Sequence, residues 1–306
     1  MGVSALRRGP SAGRLGVHAG AGAAPARGAG LSVAALNGTE LAYDLSGDGS
    51  PVVLVHAGVG DRRLWEPQAD AFSERHLVLR PDLRGFGESP LPGGPFSYVD
   101  DLRALLDHVG IDRAAVVGNS FGGRVVLDFA LVHPERVAAL VLVDAALSGH
   151  ESWPASEAFD EEEDTLLDAG RLDEAVELNL RTWVDGTGRD PAAVPAELRR
   201  RVGEMQRRAF EIVVPAFEAS PPPGPVGWAD PPTATRLAEI GAPTLVVVGR
   251  YDVEEFRAIS DRLAAEIPGA SKAVFDAAHL PALERPDEFN RLVLDFLEDA
   301  LPVEAG

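Results

Sequence analysis

The feature that most constrains this chain is a short serine turn between an apolar run and a helical stretch. Residues 118–122 read Gly-Asn-Ser-Phe-Gly and fit the pattern G-x-S-x-G. The apolar run 114–117 precedes them, and helical spacing follows to about Val132. On such a turn the serine hydroxyl projects into open space, and the positions two residues away must be glycine to avoid neighbouring backbone. We therefore predict that Ser120 is a nucleophile, the alternative being a plain turn in which Ser120 caps the helix.

A nucleophilic serine needs a base. Where such a serine stands on a turn between a strand and a helix, the catalytic residues follow one another along the chain in the order serine, acid, histidine. Of the seven histidines, His133, His150 and His279 follow Ser120. His133 precedes a proline at a helix end, and His150 comes before any later strand. His279 follows the last predicted strand, so its loop should lie at the same carboxyl edge of the sheet as Ser120. We predict that His279 is the base rather than a surface histidine.

Two aspartates could supply the acid that orients the histidine and stabilises its protonated form. Asp252 follows the apolar run 244–248, and Asp144 follows the apolar run 137–143. We favour Asp252 because it precedes the last predicted strand and should lie nearer the His279 loop. Asp144 remains the alternative acid.

An oxyanion in the transition state would need two backbone N–H donors. One is Phe121, the residue after the serine. The second should come from the loop 56–60, His-Ala-Gly-Val-Gly, where glycine lets the backbone approach a substrate closely. A plain glycine turn is the alternative interpretation of this loop.

The order of elements predicts an α/β fold. After an opening hairpin at 31–45, short apolar runs alternate with amphipathic helical stretches, as expected for a mostly parallel sheet flanked by helices on both faces. The alternation breaks over 147–236, which has two amphipathic stripes, a proline-rich end and no convincing strand. We predict a catalytic domain formed by 31–146 and 237–302, with 147–236 inserted as a helical lid, here called the lid segment. A helical layer on one sheet face is the alternative.

Large apolar side chains are candidates for the wall of a substrate pocket. We predict this role for Trp153, Trp183 and Phe210 of the lid segment, and for Leu280 beside His279. Aromatic residues at helical spacing are more often part of a helical core, which is the competing interpretation.

Composition narrows the partners. The formal net charge of −20 disfavours binding to nucleic acid, and no apolar run approaches the roughly 20 residues that span a membrane. The chain has no cysteine, so disulfides, thiolate metal sites and a cysteine nucleophile are excluded. Residues 1–30 are rich in Ala, Gly and Arg, and we predict a disordered tail, with an export or transit peptide as the alternative. We expect a cytoplasmic protein that acts on a small molecule, in an oligomeric state that the sequence leaves open.

Taken together, these residues resemble the α/β-hydrolase superfamily over about 31–301. Residues 82–89, Asp-Leu-Arg-Gly-Phe-Gly-Glu-Ser, look like its D-x-R-G-x-G-x-S loop, and 56–58 look like its H-G-x oxyanion loop with alanine in place of glycine. The resemblance implies that Gly58 supplies the second oxyanion donor, with Ala57 as the neighbouring alternative. It also implies structural roles for Asp82 and Arg84, and no metal or organic cofactor.

Within the superfamily, a serine at 120 argues against dehalogenases and epoxide hydrolases, which use aspartate. The resemblance implies a serine hydrolase that forms an acyl-enzyme from a small or medium ester, lactone or related carbonyl compound. Residues 118–123 are also similar to the elbow of hydrolases that cleave carbon–carbon bonds in ring-fission products, although Leu280 stands where those usually have tryptophan. A ligand-binding protein without catalysis on the same scaffold is a further alternative.

Overall fold

The computed structural model describes residues 28–301. Most of the tail predicted over 1–30 therefore lies outside the described residues. Its last three residues belong to the first described strand, which begins at Gly28 and so includes residues before Leu31.

In the part of the chain that the structure describes, eight strands form one central sheet, in the spatial order β1-β2-β4-β3-β6-β7-β9-β10. The strand β2 runs antiparallel to both of its neighbours, and every other adjacent pair is parallel. The predicted opening hairpin and mostly parallel sheet are thus confirmed. The strands within residues 28–301 are β1 (Gly28–Leu36), β2 (Thr39–Ser46), β3 (Ser50–Val55), β4 (His76–Pro81), β5 (Gly94–Phe96), β6 (Ala114–Asn119), β7 (Val137–Val143), β8 (Pro223–Val226), β9 (Thr244–Gly249) and β10 (Ser271–Phe275).

Helices cover both faces of this sheet. The helices are α1 (Glu66–Phe72), α2 (Tyr98–Val109), α3 (Phe121–Val132), α4 (Pro154–Asp168), α5 (Leu172–Asn179), α6 (Ala196–Glu218), α7 (Glu254–Glu266), α8 (Pro281–Glu284) and α9 (Pro286–Ala300). One π-helical turn, Leu180–Asp185, continues α5.

Side chains of alternate residues in the central strands pack into two separate apolar cores, one on each face of the sheet. In β6, Ala114 and Val116 pack with α2, α3 and α7, whereas Ala115 and Val117 pack with α1 and α9 on the other face. Burial on both faces explains why these strands are continuous apolar runs rather than alternating ones. Because β3, β6, β7, β9 and β10 are parallel, the loops that follow them meet at one edge of the sheet.

The segment between β7 and β9 holds α4, α5, the π-helical turn and α6. The two amphipathic stripes predicted α5 with its π-helical turn and α6, but not α4. It also holds β8, which pairs in parallel with the short β5 to form a second, two-stranded sheet. This corrects the expectation of no strand in the lid segment. The strand is only four residues long and contains Pro223 and Pro225. Proline cannot donate to a ladder, so the sequence carried no strand signal here.

Within residues 28–301, no helix is both long and apolar enough to cross a membrane.

Candidate active site

Ser120 lies on a strained turn between β6 and α3. Its backbone has φ 54° and ψ −114°, a conformation that residues other than glycine rarely adopt. The turn is held because the Ser120 N–H donates to the Val143 carbonyl at 2.9 Å and the Ser120 carbonyl accepts from Ala146 N at 3.0 Å. The hydroxyl makes no capping hydrogen bond to α3. Strain of this kind persists only where the surroundings over-determine it, and it is common at functional sites.

The glycines around Ser120 are required by space, as predicted. A Cβ at Gly118 would lie 2.5 Å from the Gly122 carbonyl oxygen, and a Cβ at Gly122 would lie 2.4 Å from the Val55 carbonyl oxygen. Both obstacles are backbone atoms, which cannot move aside as a flexible side chain could. The elbow is therefore packed directly against the end of β3.

We expect Gly122→Ala to lower the free energy of unfolding by about 1–3 kcal/mol, the usual cost of forcing a methyl group into a filled site. Urea unfolding measures this change. The control is Gly241→Ala, since nothing lies within 4 Å of a Cβ at Gly241, and we expect it to change stability by less than about 0.5 kcal/mol. Equal stability of both variants and the parent chain would contradict the packing described here.

His279 is buried and hydrogen-bonded to Asp252. The distance from His279 Nδ1 to Asp252 Oδ2 is 2.8 Å, so we assign the imidazole proton to Nδ1, donating to the carboxylate. The ring is held between Trp183 and Phe256, whose ring centroids lie 4.6 and 4.7 Å from that of His279. The His279 carbonyl accepts from Asn119 Nδ2 at 3.2 Å, which ties the loop to the serine turn. With Nδ1 protonated, Nε2 of a neutral ring is the basic nitrogen.

Asp252 is fully buried at the carboxyl end of β9. Its Oδ1 accepts from Val253 N at 2.7 Å, while its Oδ2 faces His279. Burial raises the pKa of Asp252 to about 7, although hydrogen bonds from Asp144 and Val253 pull it down.

Asp144, the alternative acid, lies directly behind this pair at the end of β7. Its carboxyl oxygens accept from Gly249 N at 3.0 and 3.3 Å. Burial raises the pKa of Asp144 well above its usual value, and the nearby Asp252 charge raises it further. Side-chain oxygen and nitrogen atoms of Asp144, Asp252 and His279 all lie within 4.8 Å of one another. Among the residues that the structure describes, this is the group of acidic and histidine side chains close enough together to bind one metal ion. The 2.8 Å contact between Asp252 and His279 is, however, a hydrogen bond.

A cavity of about 460 Å³ opens at this edge of the sheet. Its wall includes Ser120, His279, Phe121 and Gly58, so the structure brings these four predicted residues to one space. Phe121 is the first residue of α3, and the N–H groups of a first helical turn have no partner inside the helix. The loop that carries Gly58 is closed by a hydrogen bond from Gly60 N to the Ala57 carbonyl at 3.1 Å.

Besides Phe121, four further Phe and Trp residues make much of the cavity wall apolar. They are Phe159, Trp183, Trp228 and Phe256. Of the predicted pocket residues, Trp183 is among them, but Trp153, Phe210 and Leu280 are not among the lining residues. Phe210 and Leu280 point into the apolar core, and Trp153 starts α4 with its backbone N–H donating to Glu255 at 3.2 Å.

Phe159, Trp228 and Phe256 line the cavity but were not predicted from the sequence. Phe256 follows Asp252 by four residues at the start of α7, so its chain position was a usable signal. Phe159 and Trp228 reach the cavity only through the docking of the lid segment, which no local pattern records.

Arg124 places a positive charge in the same wall. Its guanidinium carbon lies 3.6 Å from the centre of the Trp228 ring, and its Nε donates to Ser148 Oγ at 2.7 Å. Burial lowers the pKa of Arg124 to about 10, and nearby Asp128 offsets only part of that effect. The cation remains charged at neutral pH, but poorly solvated.

His56, beside the glycine loop, has a structural role. Its Nδ1 donates to the Ala57 carbonyl at 2.8 Å, and its Nε2 accepts from Leu83 N at 2.9 Å. Burial lowers the pKa of His56, in keeping with a neutral ring that accepts at Nε2. The histidine therefore joins loop 56–60 to loop 82–89.

The loop 82–89 is itself held by its charged residues, as the resemblance implied. Asp82 accepts from Arg62 N at 2.8 Å and from Glu88 N at 2.9 Å. Arg84 forms a buried two-point ion pair with Asp101, with N–O distances of 2.8 and 2.9 Å. These contacts brace the loop and do not reach the cavity.

Known proteins are similar to this chain in both sequence and fold. The family described as "alpha/beta hydrolase fold" matches residues 50–286. A 2-hydroxymuconate semialdehyde hydrolase from Pseudomonas putida is 32% identical over 267 residues, covering 83% of this chain and 89% of that protein. The enol-lactonase from Burkholderia xenovorans superposes with a TM-score of 0.69 at 28% identity, covering 87% and 99%. A thermophilic esterase from Thermogutta terrifontis superposes with a TM-score of 0.65 at 26% identity, covering 88% and 97%.

The match to the family model covers most of the chain, from β3 to the start of α9, and includes the serine turn and both loops that carry Asp252 and His279. The relatives in sequence and in structure are hydrolases. This chain belongs to the α/β-hydrolase family.

Proposed function

We propose that this protein is a serine hydrolase that cleaves a small or medium ester, lactone or related carbonyl compound through an acyl-enzyme. In this proposal Ser120 is the nucleophile, His279 the base and Asp252 the acid. One observation carries it: a serine on a strained turn and a histidine hydrogen-bonded to a buried carboxylate line the same cavity. The similarity to an enol-lactonase and an esterase supports the substrate class.

The reaction would proceed in two halves. His279 Nε2 takes the Ser120 proton while Oγ bonds to the carbonyl carbon, and the carbonyl electron pair moves onto oxygen. Collapse of this intermediate expels the alcohol oxygen, which takes the proton from the imidazolium. Water then attacks the acyl-enzyme with His279 again as base, releasing the acid and free Ser120. Asp252 stabilises the imidazolium throughout and keeps its own charge.

The oxyanion would accept hydrogen bonds from the N–H groups of Phe121 and Gly58. Phe121 begins α3, so the positive end of the helix dipole adds to its effect. Each such donor typically lowers the barrier by about 2.7–4 kcal/mol.

We infer that residues 147–236 act as the lid of this cavity, inserted into a catalytic domain of residues 31–146 and 237–302. Phe159, Trp183 and Trp228 come from this segment and form part of the cavity wall. Trp183 also packs on the His279 ring, and its carbonyl accepts from His279 N at 3.3 Å. The segment would therefore shield the reacting groups from water and shape the substrate space.

A panel of p-nitrophenyl esters of increasing acyl length tests the reaction class. We expect turnover of the shorter esters and a loss of turnover once the acyl chain exceeds what a cavity of about 460 Å³ admits. Measurable hydrolysis of ring-fission acids with none of the esters or lactones would overturn the proposal.

The activity should depend on pH in a stated direction. Because burial raises the pKa of Asp252 to about 7, the buried pair of Asp252 and His279 takes up a proton as the pH falls below about 7. A protonated pair can neither accept the Ser120 proton nor stabilise an imidazolium, so kcat/KM should fall tenfold per pH unit on the acid side and level off above about 8. The apparent pKa belongs to the pair rather than to one residue. A rate that rises on acidification would contradict this prediction.

A second candidate function is hydrolysis of a carbon–carbon bond in a vinylogous diketone acid. The observation that favours it is Arg124, a poorly solvated cation in the cavity wall that a substrate carboxylate would stabilise. The similarity to a 2-hydroxymuconate semialdehyde hydrolase agrees with this alternative.

Arg124→Gln separates the two candidates. If a carboxylate binds Arg124, the ratio of kcat/KM for an acid substrate to that for its neutral methyl ester should fall about 10–100-fold, since a hydrogen bond to a charged group contributes about 1.5–3 kcal/mol. The matched control is Arg207→Gln, a surface arginine on α6 that should leave the ratio unchanged. An unchanged ratio in Arg124→Gln would remove the support that Arg124 lends to an acid substrate.

A further inference from the structure

Two buried acids lie beside His279, and only Asp252 has a role in the proposed hydrolysis, which leaves Asp144 without one. Asp144 directly follows β7 and Asp252 lies three residues after the neighbouring strand β9. Both are 0% exposed, and a carboxyl oxygen of each lies within 4.8 Å of the other. They share a side-chain hydrogen bond. Two carboxylates so close in an apolar interior cannot both be ionised, so one of them carries a proton.

The surrounding contacts indicate which acid is protonated. Asp252 accepts from His279 Nδ1 and from Val253 N at 2.8 and 2.7 Å. Its side chain also feels the charge of Arg257 on α7, opposed by Glu284 on α8. Asp144 accepts from a single backbone donor, Gly249 N. Negative charge is therefore better stabilised on Asp252, and the shared proton belongs on Asp144.

The backbone holds the Asp144 carboxyl in place. Asp144 has φ 41°, in the left-handed region, and its N–H donates to the Val247 carbonyl at 2.9 Å. Gly249 N pins the carboxyl from the other side at 3.0 Å. Contacts of this kind also brace β7 against β9, so a purely structural role is the competing explanation.

We propose, on the basis of the proposed hydrolase function, that Asp144 is a positioning residue: as a neutral carboxylic acid it donates a hydrogen bond to Asp252 and holds that carboxylate against His279 Nδ1. Asp144 does not touch the substrate and acts only through Asp252. The bond also stabilises the negative charge of Asp252, which the imidazolium needs opposite it during the reaction.

Two substitutions separate positioning from bracing. Asp144→Asn keeps an oxygen for Gly249 N and offers an amide N–H to Asp252. Asp144→Leu keeps the branched arrangement of heavy atoms, with bulkier methyl groups, and removes both polar contacts. We expect Asp144→Asn to retain kcat within about threefold. We expect Asp144→Leu to lose about 10–100-fold in kcat with KM unchanged, the effect of one lost hydrogen bond to a charged group. Its acid limb should also move to higher pH, since Asp252 has lost a donor that lowers its pKa.

If Asp144 only held β7 against β9, Asp144→Leu would have a lower melting temperature, and the acid limb of its pH profile would not move. That result, or an Asp144→Asn variant as impaired as Asp144→Leu in kcat and pH profile, would overturn the proposal.

Infrared difference spectroscopy tests the same proposal without relying on activity or on the leucine variant. At about pH 8.5, where ordinary carboxyls and Asp252 are ionised, the wild-type protein should keep one carboxylic-acid C=O band that Asp144→Asn lacks. Absence of that band in the wild type would show that Asp144 is ionised and would overturn the proposal. If the band is present but Ser120 proves unreactive, the hydrogen bond between the acids stands while the hydrolase function fails.

Discussion

Replacing Ser120 by alanine is expected to abolish covalent labelling by a fluorophosphonate probe and to lower kcat for ester hydrolysis by about 10⁴-fold or more. The probe reacts with a serine oxygen only when a base removes its proton, and Ser120 lines the same cavity as the His279 ring. Stability should change little, because the hydroxyl makes no capping hydrogen bond to α3. Intact-mass measurement after labelling, together with a thermal melt, checks both statements.

Ser152→Ala is the matched control for this experiment. Ser152 also lines the cavity but does not stand on the serine turn, so its removal should leave labelling intact. If the wild-type protein is labelled no faster than Ser120→Ala, the nucleophile is misassigned and the ligand-binding alternative gains support.

Replacing Asp252 by asparagine should lower kcat by about 10⁴-fold while the protein stays folded. Asparagine has nearly the same shape, but it is neutral and cannot stabilise an imidazolium. It also no longer enforces the tautomer with the proton on Nδ1, which the 2.8 Å contact with Asp252 Oδ2 defines. Steady-state kinetics on a p-nitrophenyl ester measures the loss.

Asp276→Asn provides the control for charge removal near the same loop. Asp276 is half exposed and pairs with Arg285, so we expect no more than about a twofold change in kcat. Should Asp252→Asn stay within tenfold of the wild type while Asp144→Asn loses most activity, Asp144 would be the acid.

Much of the fold was predictable because its signals are local. The central strands are buried on both faces and therefore read as short apolar runs, and the helices between them carry one apolar stripe each. Gly118 and Gly122 are needed because backbone atoms lie within 2.5 Å of where a Cβ would be. Parallel strands place their carboxyl ends together, which is why chain order and strand position were enough to bring Ser120 and His279 to one cavity.

The lid segment was predictable only in part. Its amphipathic stripes indicated helices, but which side of each helix faces the cavity depends on how the segment docks. Trp183 therefore lines the cavity while Phe210 is buried in the helical core. The strand β8 pairs with β5 more than 120 residues earlier, and such pairing leaves no trace in a proline-rich run.

The sequence by itself determined the α/β sheet, the serine turn and the histidine that shares its cavity, since each follows from patterns within a few residues and from the geometry of parallel strands. Chain position favoured Asp252 over Asp144, but only the tertiary structure decided which of the two lies against His279. Both follow buried apolar strands that are neighbours in the sheet, Asp144 directly after β7 and Asp252 three residues after β9. What distinguishes them is through-space contact: Asp252 meets His279, whereas the backbone turn at Asp144 directs its carboxyl to Gly249 and Asp252. Contacts between side chains distant in sequence depend on the docked positions of whole elements, which no local pattern encodes.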